Sequence, residues 1–172
     1  MLRQCGFSCY GIEITDEIVN QVGINTNGIA GIEVKTGNNA YIPYNDSFFD
    51  FLLSWNSCYY MGDALDFQAH VMEYARVTKT GGTLVLSIPK KSCFIYHGCD
   101  TFITENGERY AIIRNDPFKI RNGESLRIFE DENDIADCFS AYFDSFIFGS
   151  IQDDCFGYDY HWHLVVCKKK ER

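Results

Sequence analysis

A chain of 172 residues, 46% hydrophobic and 23% charged, is long enough for one domain with a real core, and its composition excludes wholesale disorder. Fifteen Lys and Arg against 24 Asp and Glu give a formal charge of −9. Long-range repulsion of phosphate then disfavours nucleic acid as the principal partner. No apolar run approaches the ~18 residues of a membrane span, and Met1-Leu2-Arg3-Gln4-Cys5-Gly6-Phe7 lacks a signal-peptide core. The chain therefore reads as soluble and cytoplasmic, with its eight cysteines as free thiols.

In chain order, residues 7–14 (FSCYGIEI) form a short apolar run closing on an acid, the pattern of a strand. Thr15 or Asp16 caps a helix from Glu17 to about Val22, with acids in its first turn. Residues 25–28 are turn-rich, 29–35 read as a second strand, and Gly37-Asn38-Asn39 breaks it. Residues 48–54 (FFDFLLS) are almost continuously apolar, which suits a strand covered on both faces. Over 63–77, Leu65, Ala69, Met72 and Ala75-Arg76-Val77 follow helical spacing, and Lys79 with Gly81-Gly82 ends that helix. Residues 83–88 (TLVLSI) form a strand stopped by Pro89.

Past Pro89 the character changes. Residues 92–129 are loop-like, with turn signals at His97-Gly98, Asn106-Gly107, Asn115-Asp116-Pro117 and Asn122-Gly123, and short strands at 109–113 and 125–129. A helix over 133–143 starts behind Asp131 with Ile135, Cys138, Phe139 and Tyr142 on one face, and strands at 145–151 and 160–167 close the chain. Strands alternating with helices predict an α/β fold: a mostly parallel sheet with helices on both faces and one antiparallel strand at the C-terminal edge.

Ligands of open α/β sheets sit beyond the carboxyl ends of the strands, which selects Glu13, Asn38-Asn39 and Ser54-Trp55-Asn56. The Glu13 carboxylate either accepts two hydrogen bonds from a ribose diol or is an ordinary exposed or capping acid. Asn38 and Asn39 either offer their amides to an adenine edge or form a plain turn. Trp55 either stacks on a cofactor or packs in the core.

The order and spacing of these segments resemble a family. Tyr10-Gly11-Ile12-Glu13-Ile14, followed by Asp16-Glu17, resembles the second strand of class I S-adenosylmethionine-dependent methyltransferases, where a terminal acid holds the cofactor ribose. Residues 37–50 (GNNAYIPYNDSFFD) are similar to the Gly-Asp-Ala, Leu-Pro-Phe and Ser-Phe-Asp signature of the type 11 branch, in which the Asp borders the adenine. His70, Glu73 and Arg76 with Val77-Thr78-Lys79-Thr80-Gly81-Gly82 resemble its Glu-x-x-Arg-Val-Leu-Lys-Pro-Gly-Gly turn. The resemblance spans roughly residues 7–90, and the final helix-strand-strand order suits it as well.

The resemblance implies a three-layer αβα Rossmann-like domain over 1–172, with a cofactor-side part (1–91), an insertion or lid (92–130) and a C-terminal helix and strand pair (131–172). It implies S-adenosylmethionine as cofactor, with Glu13, Ile14, Asn38, Asn39, Ser54, Trp55 and Asn56 at its site. It also implies a small-molecule methyl acceptor near Tyr96 and His97, which follow the fifth strand of the family's sheet; His97 is either a general base there or, the favoured reading, a loop histidine with a structural role.

Three departures qualify this picture. Asn38 stands where the family has Asp, and Thr80 where it has Pro. The family's first strand and its Gly-x-Gly loop, whose backbone approaches the methionine end of the cofactor, would precede residue 7. An N-terminally incomplete sheet is therefore expected, with the strands of Glu13 and Leu52 left without the strand between them. Direct re-pairing, a strand donated by another chain or second copy, or a shortened form of a longer enzyme would each answer this, the last being favoured.

The expected function is methyl transfer from S-adenosylmethionine if the chain is active, with cofactor binding weakened or lost without the loop. The alternative is a non-catalytic or truncated module acting through a partner chain. A nicotinamide-dependent oxidoreductase, which also uses an acid at that strand end, is disfavoured by the Lys79–Gly82 turn and the terminal strand pair. No metal is expected: Cys93-x3-His97-x-Cys99 and the His161/His163 pair lack the four closely spaced ligands of structural zinc, and a Cys5–Cys9 bond is similarly disfavoured.

Overall fold

The computed structural model describes residues 5–26, 31–62 and 64–171, Cys155 by its backbone only. Residues 27–30 of the expected turn and second strand, and Asp63 at the start of the expected helix, lie outside the described residues. The first unit comprises β1 (Cys9–Glu13), α1 (Asp16–Asn25) and β2 (Ile32–Thr36). β3 (Phe49–Ser54), β4 (Tyr60–Met61), α2 (Phe67–Val77) and β5 (Thr78–Pro89) follow. After a 3₁₀ turn at Phe94–Tyr96 come β6 (Asp100–Ile103), β7 (Arg109–Ile112) and β8 (Ser125–Ile128). The chain ends with α3 (Glu132–Phe139), β9 (Phe143–Cys155) and β10 (Tyr158–Lys169). No helix among the described residues is long and apolar enough to cross a membrane.

These elements form an α/β fold, but the strands do not join one mostly parallel sheet. β1 and β2 pair in parallel by themselves; a second sheet has the order β3-β5-β10-β9, and a third the order β4-β8-β7-β6. Among the described residues, parallel pairing is confined to β1–β2 and β3–β5. The third sheet is antiparallel throughout: β7 and β8 match the short strands expected at 109–113 and 125–129, while β6 and the two-residue β4 arise where loop was expected. β1 and β3 do not re-pair with one another: each has one partner and one open edge among the described residues.

Sequence and structure also differ at the end of α2. Lys79 and Gly81-Gly82 do not stop the helix; it ends at Val77, where Thr78 turns extended and its Oγ1 donates to Tyr74 O at 2.7 Å. β3 then pairs Phe49 with Thr78 but Phe51 with Thr83, so residues 79–82 bulge out of β5. Gly81 sits there at φ +72°, and a Cβ on Gly82 would lie 2.7 Å from Lys79 O. The glycines serve the bulge.

The main core lies between one face of the second sheet and α2 and α3, where Leu84, Leu86, Ile88, Val165 and Phe143 meet Phe67, Val71, Ile135 and Phe139. On the opposite face, Leu53, Val85, Val166 and Ile147 stand in one row across all four strands, with Leu53 61% and Ile147 67% exposed. β3 is therefore covered on one face, and the expectation of two covered faces is corrected.

Side chains hold the β1–β2 unit against the rest. Residues 37–48 run from the end of β2 to the start of β3; α2 holds their far end through Ser47 N to Arg76 O and Phe48 N to Val77 O, each 2.8 Å, and grips the middle through one ion pair. Arg76 Nε and Nη2 donate to the two oxygens of Glu73 at 2.7 Å each. The same guanidinium donates to Ile42 O at 2.8 Å, Tyr44 O at 2.9 Å and Asp46 Oδ1 at 2.7 Å. Glu73 Oε1 also accepts from Ile42 N at 2.6 Å. Tyr44, fixed in this way, donates its hydroxyl to Gly11 O of β1 and Glu33 O of β2 at 3.2 and 3.3 Å. Its ring packs with Tyr10, Phe48 and Phe49 in one aromatic cluster.

Hydrogen bonds from Arg76, opposed by partial burial, hold the Glu73 carboxyl below its ordinary range. A depressed folded-state pKa gives stability that is fully present above the unfolded value and is lost as pH falls through the folded one. Arg76→Gln should lower unfolding stability by about 2–3 kcal/mol at pH 7, because it strands a half-buried carboxylate. The difference should shrink below about pH 4 as Glu73 is protonated in both proteins. Urea denaturation of both proteins at pH 7 and 3.5 checks this; equal stability at pH 7 would contradict it.

Candidate functional site

The expected site residues are assembled where β1, β2 and β3 end. Thr15 caps α1 by accepting from Ile18 N, and Asp16 accepts from Thr36 Oγ1, tying the helix start to the end of β2. Beyond Thr36 the chain turns at Gly37, whose N–H donates to Glu13 O at 2.9 Å. A Cβ on Gly37 would lie 2.7 Å from both Pro43 Cδ and Tyr41 O, so only glycine allows so tight a turn. Asn38 and Tyr41 exchange backbone hydrogen bonds across it, and Asn38 Oδ1 accepts from Ala40 N at 2.9 Å.

Asn39 connects this turn to β3. Its Nδ2 donates to Ser57 O at 2.9 Å, and its Oδ1 accepts from Tyr74 Oη at 2.7 Å. Tyr74 Oη lies 3.3 Å from Ser54 Oγ, which lies 2.8 Å from Ser57 Oγ. Burial pushes the Tyr74 hydroxyl well above the usual phenol range, so it stays neutral and able to donate. Asn56 adopts φ 53°; its N–H donates to Ser87 Oγ at 2.7 Å and its Oδ1 accepts from the same hydroxyl at 2.8 Å. Between the braced Ser54 and Asn56, Trp55 is 48% exposed, which excludes its core reading.

Glu13, Asn38, Asn39, Ser54, Trp55 and Asn56 therefore share one rim, with Ile14 beside Glu13 and 72% exposed. The rim residues divide into two kinds. Asn39, Ser54 and Asn56 direct their polar groups at the protein. The Asn38 Nδ2 has no protein partner among the described residues, and Trp55 presents its ring to solvent. Sequence reasoning missed Ser57, Tyr74 and Ser87, which hold the rim in place. Ser87 carried a signal, being the lone polar residue in the run LVLSI that follows Thr83. Tyr74 lies 35 residues from Asn39 and carried none.

Beneath the rim, His70 lies buried with Nδ1 3.0 Å from Cys58 O; burial lowers its pKa and raises the Cys58 thiol to about 12. Both are neutral packing groups near pH 7. Tyr96 and His97 have different surroundings. Tyr96 donates to Arg127 O at 3.1 Å and lines a separate cavity, whereas His97 sits exposed at the end of the 3₁₀ turn. Among the described residues no three His, Cys, Asp or Glu side chains are grouped to hold a metal ion. Cys99 instead donates to Ile95 O, and His161 Nδ1 lies 2.8 Å from Ser92 Oγ.

Comparison with known proteins supplies the context for this rim. A family model for a methyltransferase domain matches residues 1–86. Among solved structures, a S-adenosylmethionine-dependent methyltransferase from Methanosarcina mazei superposes with a TM-score of 0.67 at 16% identity, over 99% of this chain and 86% of that one. One from Mesorhizobium loti gives 0.65 at 12% identity, over 97% and 83%. The Burkholderia thailandensis 1,6-didemethyltoxoflavin-N1-methyltransferase, solved with 1,6-didemethyltoxoflavin and S-adenosylhomocysteine, gives 0.65 at 12% identity, over 99% and 64%. No curated protein matches the sequence. The chain belongs to the class I S-adenosylmethionine-dependent methyltransferase family. The solved structures, at these identities, speak to the fold.

If Asn39 braces the rim, Asn39→Ala should cost about 1–2 kcal/mol, since it removes one partner of the buried Tyr74 hydroxyl. Asn38→Ala, on an exposed turn, should cost about 0.5 kcal/mol or less. Thermal denaturation of the two variants checks the order; equal losses would contradict the division of roles.

Proposed function

We propose that this chain binds S-adenosylmethionine at the rim formed by the carboxyl ends of β1, β2 and β3 and transfers its methyl group to a small-molecule acceptor. The supporting observation is the convergence of Glu13, Asn38 and Trp55 through two hydrogen bonds, Gly37 N to Glu13 O and Asn39 Nδ2 to Ser57 O. An acceptor carboxylate, a free amide and two solvent-facing apolar side chains, Ile14 and Trp55, suit a nucleoside: polar at the sugar, flat and apolar at the base. Glu13 would accept from the ribose hydroxyls, Asn38 would donate to the adenine edge, and Trp55 with Ile14 would flank the ring. Asn39, Ser54 and Asn56 would act by positioning.

When bound, the cofactor supplies an electrophilic methyl group on a positively charged sulfur. The chain's part is to hold it in a fixed orientation, and alignment alone supplies much of the acceleration in such transfers. The cytoplasm suits the buried thiols Cys58, Cys93 and Cys167, which stay reduced there.

The open edges of β1 and β3 favour a second reading, a module that works with a partner chain. Each edge presents unpaired backbone donors and acceptors, and an extended strand of a partner polypeptide is the chemistry that satisfies both.

Calorimetric titration with S-adenosylhomocysteine, paired with sedimentation to measure mass, separates the two readings. The first expects saturable binding by the chain in the micromolar range, quenching of Trp55 fluorescence, and a loss of about 10-fold in Glu13→Gln. A cooperatively folded chain that gives no heat and no quenching would refute it and leave the partner reading.

A further inference from the structure

A second cavity, of about 400 Å³ and lined by none of the rim residues, lies between the edge strand β6, the start of β7 and the segments that follow β5 and β8. We propose that it binds a small organic carboxylate with an apolar body, and that Arg109 and Lys91 are its anion-recognising groups. The assignment is independent of the methyl-transfer reading.

The charge arithmetic carries the argument. Glu130 takes Lys91 Nζ on one carboxylate oxygen and Arg109 Nε on the other, the latter at 2.7 Å. Two cations share one anion, so the wall carries a surplus positive charge in a chain whose formal charge is −9. Other exposed pairs here are matched one to one, as in Arg114–Asp100 and Lys79–Asp50. Because Arg109 meets Glu130 through Nε, its two Nη groups have no protein partner among the described residues. The planar pair of N–H groups on such an edge matches the two oxygens of a carboxylate. Arg109 and Lys91 are 50% and 53% exposed, so an anion can reach them.

The remaining wall sets the rest of the ligand. Phe102 and Ile103 of β6 are apolar, and Phe102 is held stacked on Tyr110 with centroids 5.8 Å apart. Tyr96 adds its ring, while its hydroxyl hydrogen is already committed to Arg127 O. Salt bonds to two cations leave Glu130 little capacity for a cationic ligand, and hydrogen bonding from Lys91 holds its carboxyl below the usual range. The cavity volume falls at the lower end of the ~300–1,000 Å³ of small-molecule sites. A monoanion with an aromatic or short aliphatic body fits both charge and size.

The test is a titration with phenylacetate, and with phenylacetamide as its neutral isostere, followed by amide chemical shifts and calorimetry. Phenylacetate should bind saturably with a Kd of about 1 mM and shift the amides of residues 91–92, 101–103 and 128–130. Phenylacetamide should bind at least about 10-fold more weakly. Arg109→Gln should weaken phenylacetate by about 10-fold, while Glu130→Gln, which frees both cations, should tighten it several-fold. A site that merely collapsed on mutation could not give that gain. Equal affinity for acid and amide, an unchanged Arg109→Gln, or no saturable shifts up to about 20 mM would each overturn the assignment.

Discussion

All five N–H donors of Arg76 are engaged, two by Glu73 and three by Ile42, Tyr44 and Asp46. Among the described residues no ladder joins β1 to β3, and the backbone hydrogen bonds from Ser47 N to Arg76 O and Phe48 N to Val77 O fix only the far end of the connecting segment. The guanidinium holds the middle of that segment, by fixing Ile42 and Tyr44 on the flank of α2. Tyr44 then anchors β1 and β2 through its hydroxyl and its ring. The Glu-x-x-Arg pattern, which in sequence reads as a helix ending, is the clamp of the fold.

The rim depends on this clamp at one remove. Residues 37–41 leave β2 and carry Asn38 and Asn39, and the clamped Ile42 sets their far end. Asn39 then reaches Ser57 and Tyr74, so the ends of β1 and β3 are held in register by side chains. The Glu13 carboxylate at the end of one sheet can thus stand on the same rim as the exposed Trp55 ring at the end of another. The arrangement leaves two open strand edges and an apolar row from Leu53 to Ile147 uncovered, a liability that sheets otherwise manage by pairing or covering.

Much of this was legible in the sequence. The runs around Glu13, Leu52 and Leu86 read as strands because their apolar patterns are long and bounded by turns, and α2 read as a helix from its spacing. The placement of Glu13, Asn38 and Trp55 at the ends of their strands was legible because turn signals follow each apolar run. The two-residue β4 and four-residue β6 are too short to carry a period and exist through pairing with β8 and β7. Gly81-Gly82 misled because a glycine pair that stops a helix and one that bulges a strand look alike in sequence. Coverage of β3 could not be read either: an apolar run reports hydrophobicity, and only the fold decides which faces are buried. The hydrogen bond between Asn39 and Tyr74 could not be read, because the two lie 35 residues apart on elements whose contact the sequence does not reveal.

Amide hydrogen exchange under native conditions tests most directly the claim that side chains, in place of a β1–β3 ladder, hold the first unit to the rest. The structure predicts that amides on the open edges of β1 and β3 exchange close to the rate of unstructured peptide. The paired amides of β1 and β2 should then be released together at a lower free energy than those of β5 and β10. Uniform protection across β1 and β3, or one common opening free energy for all four strands, would contradict it.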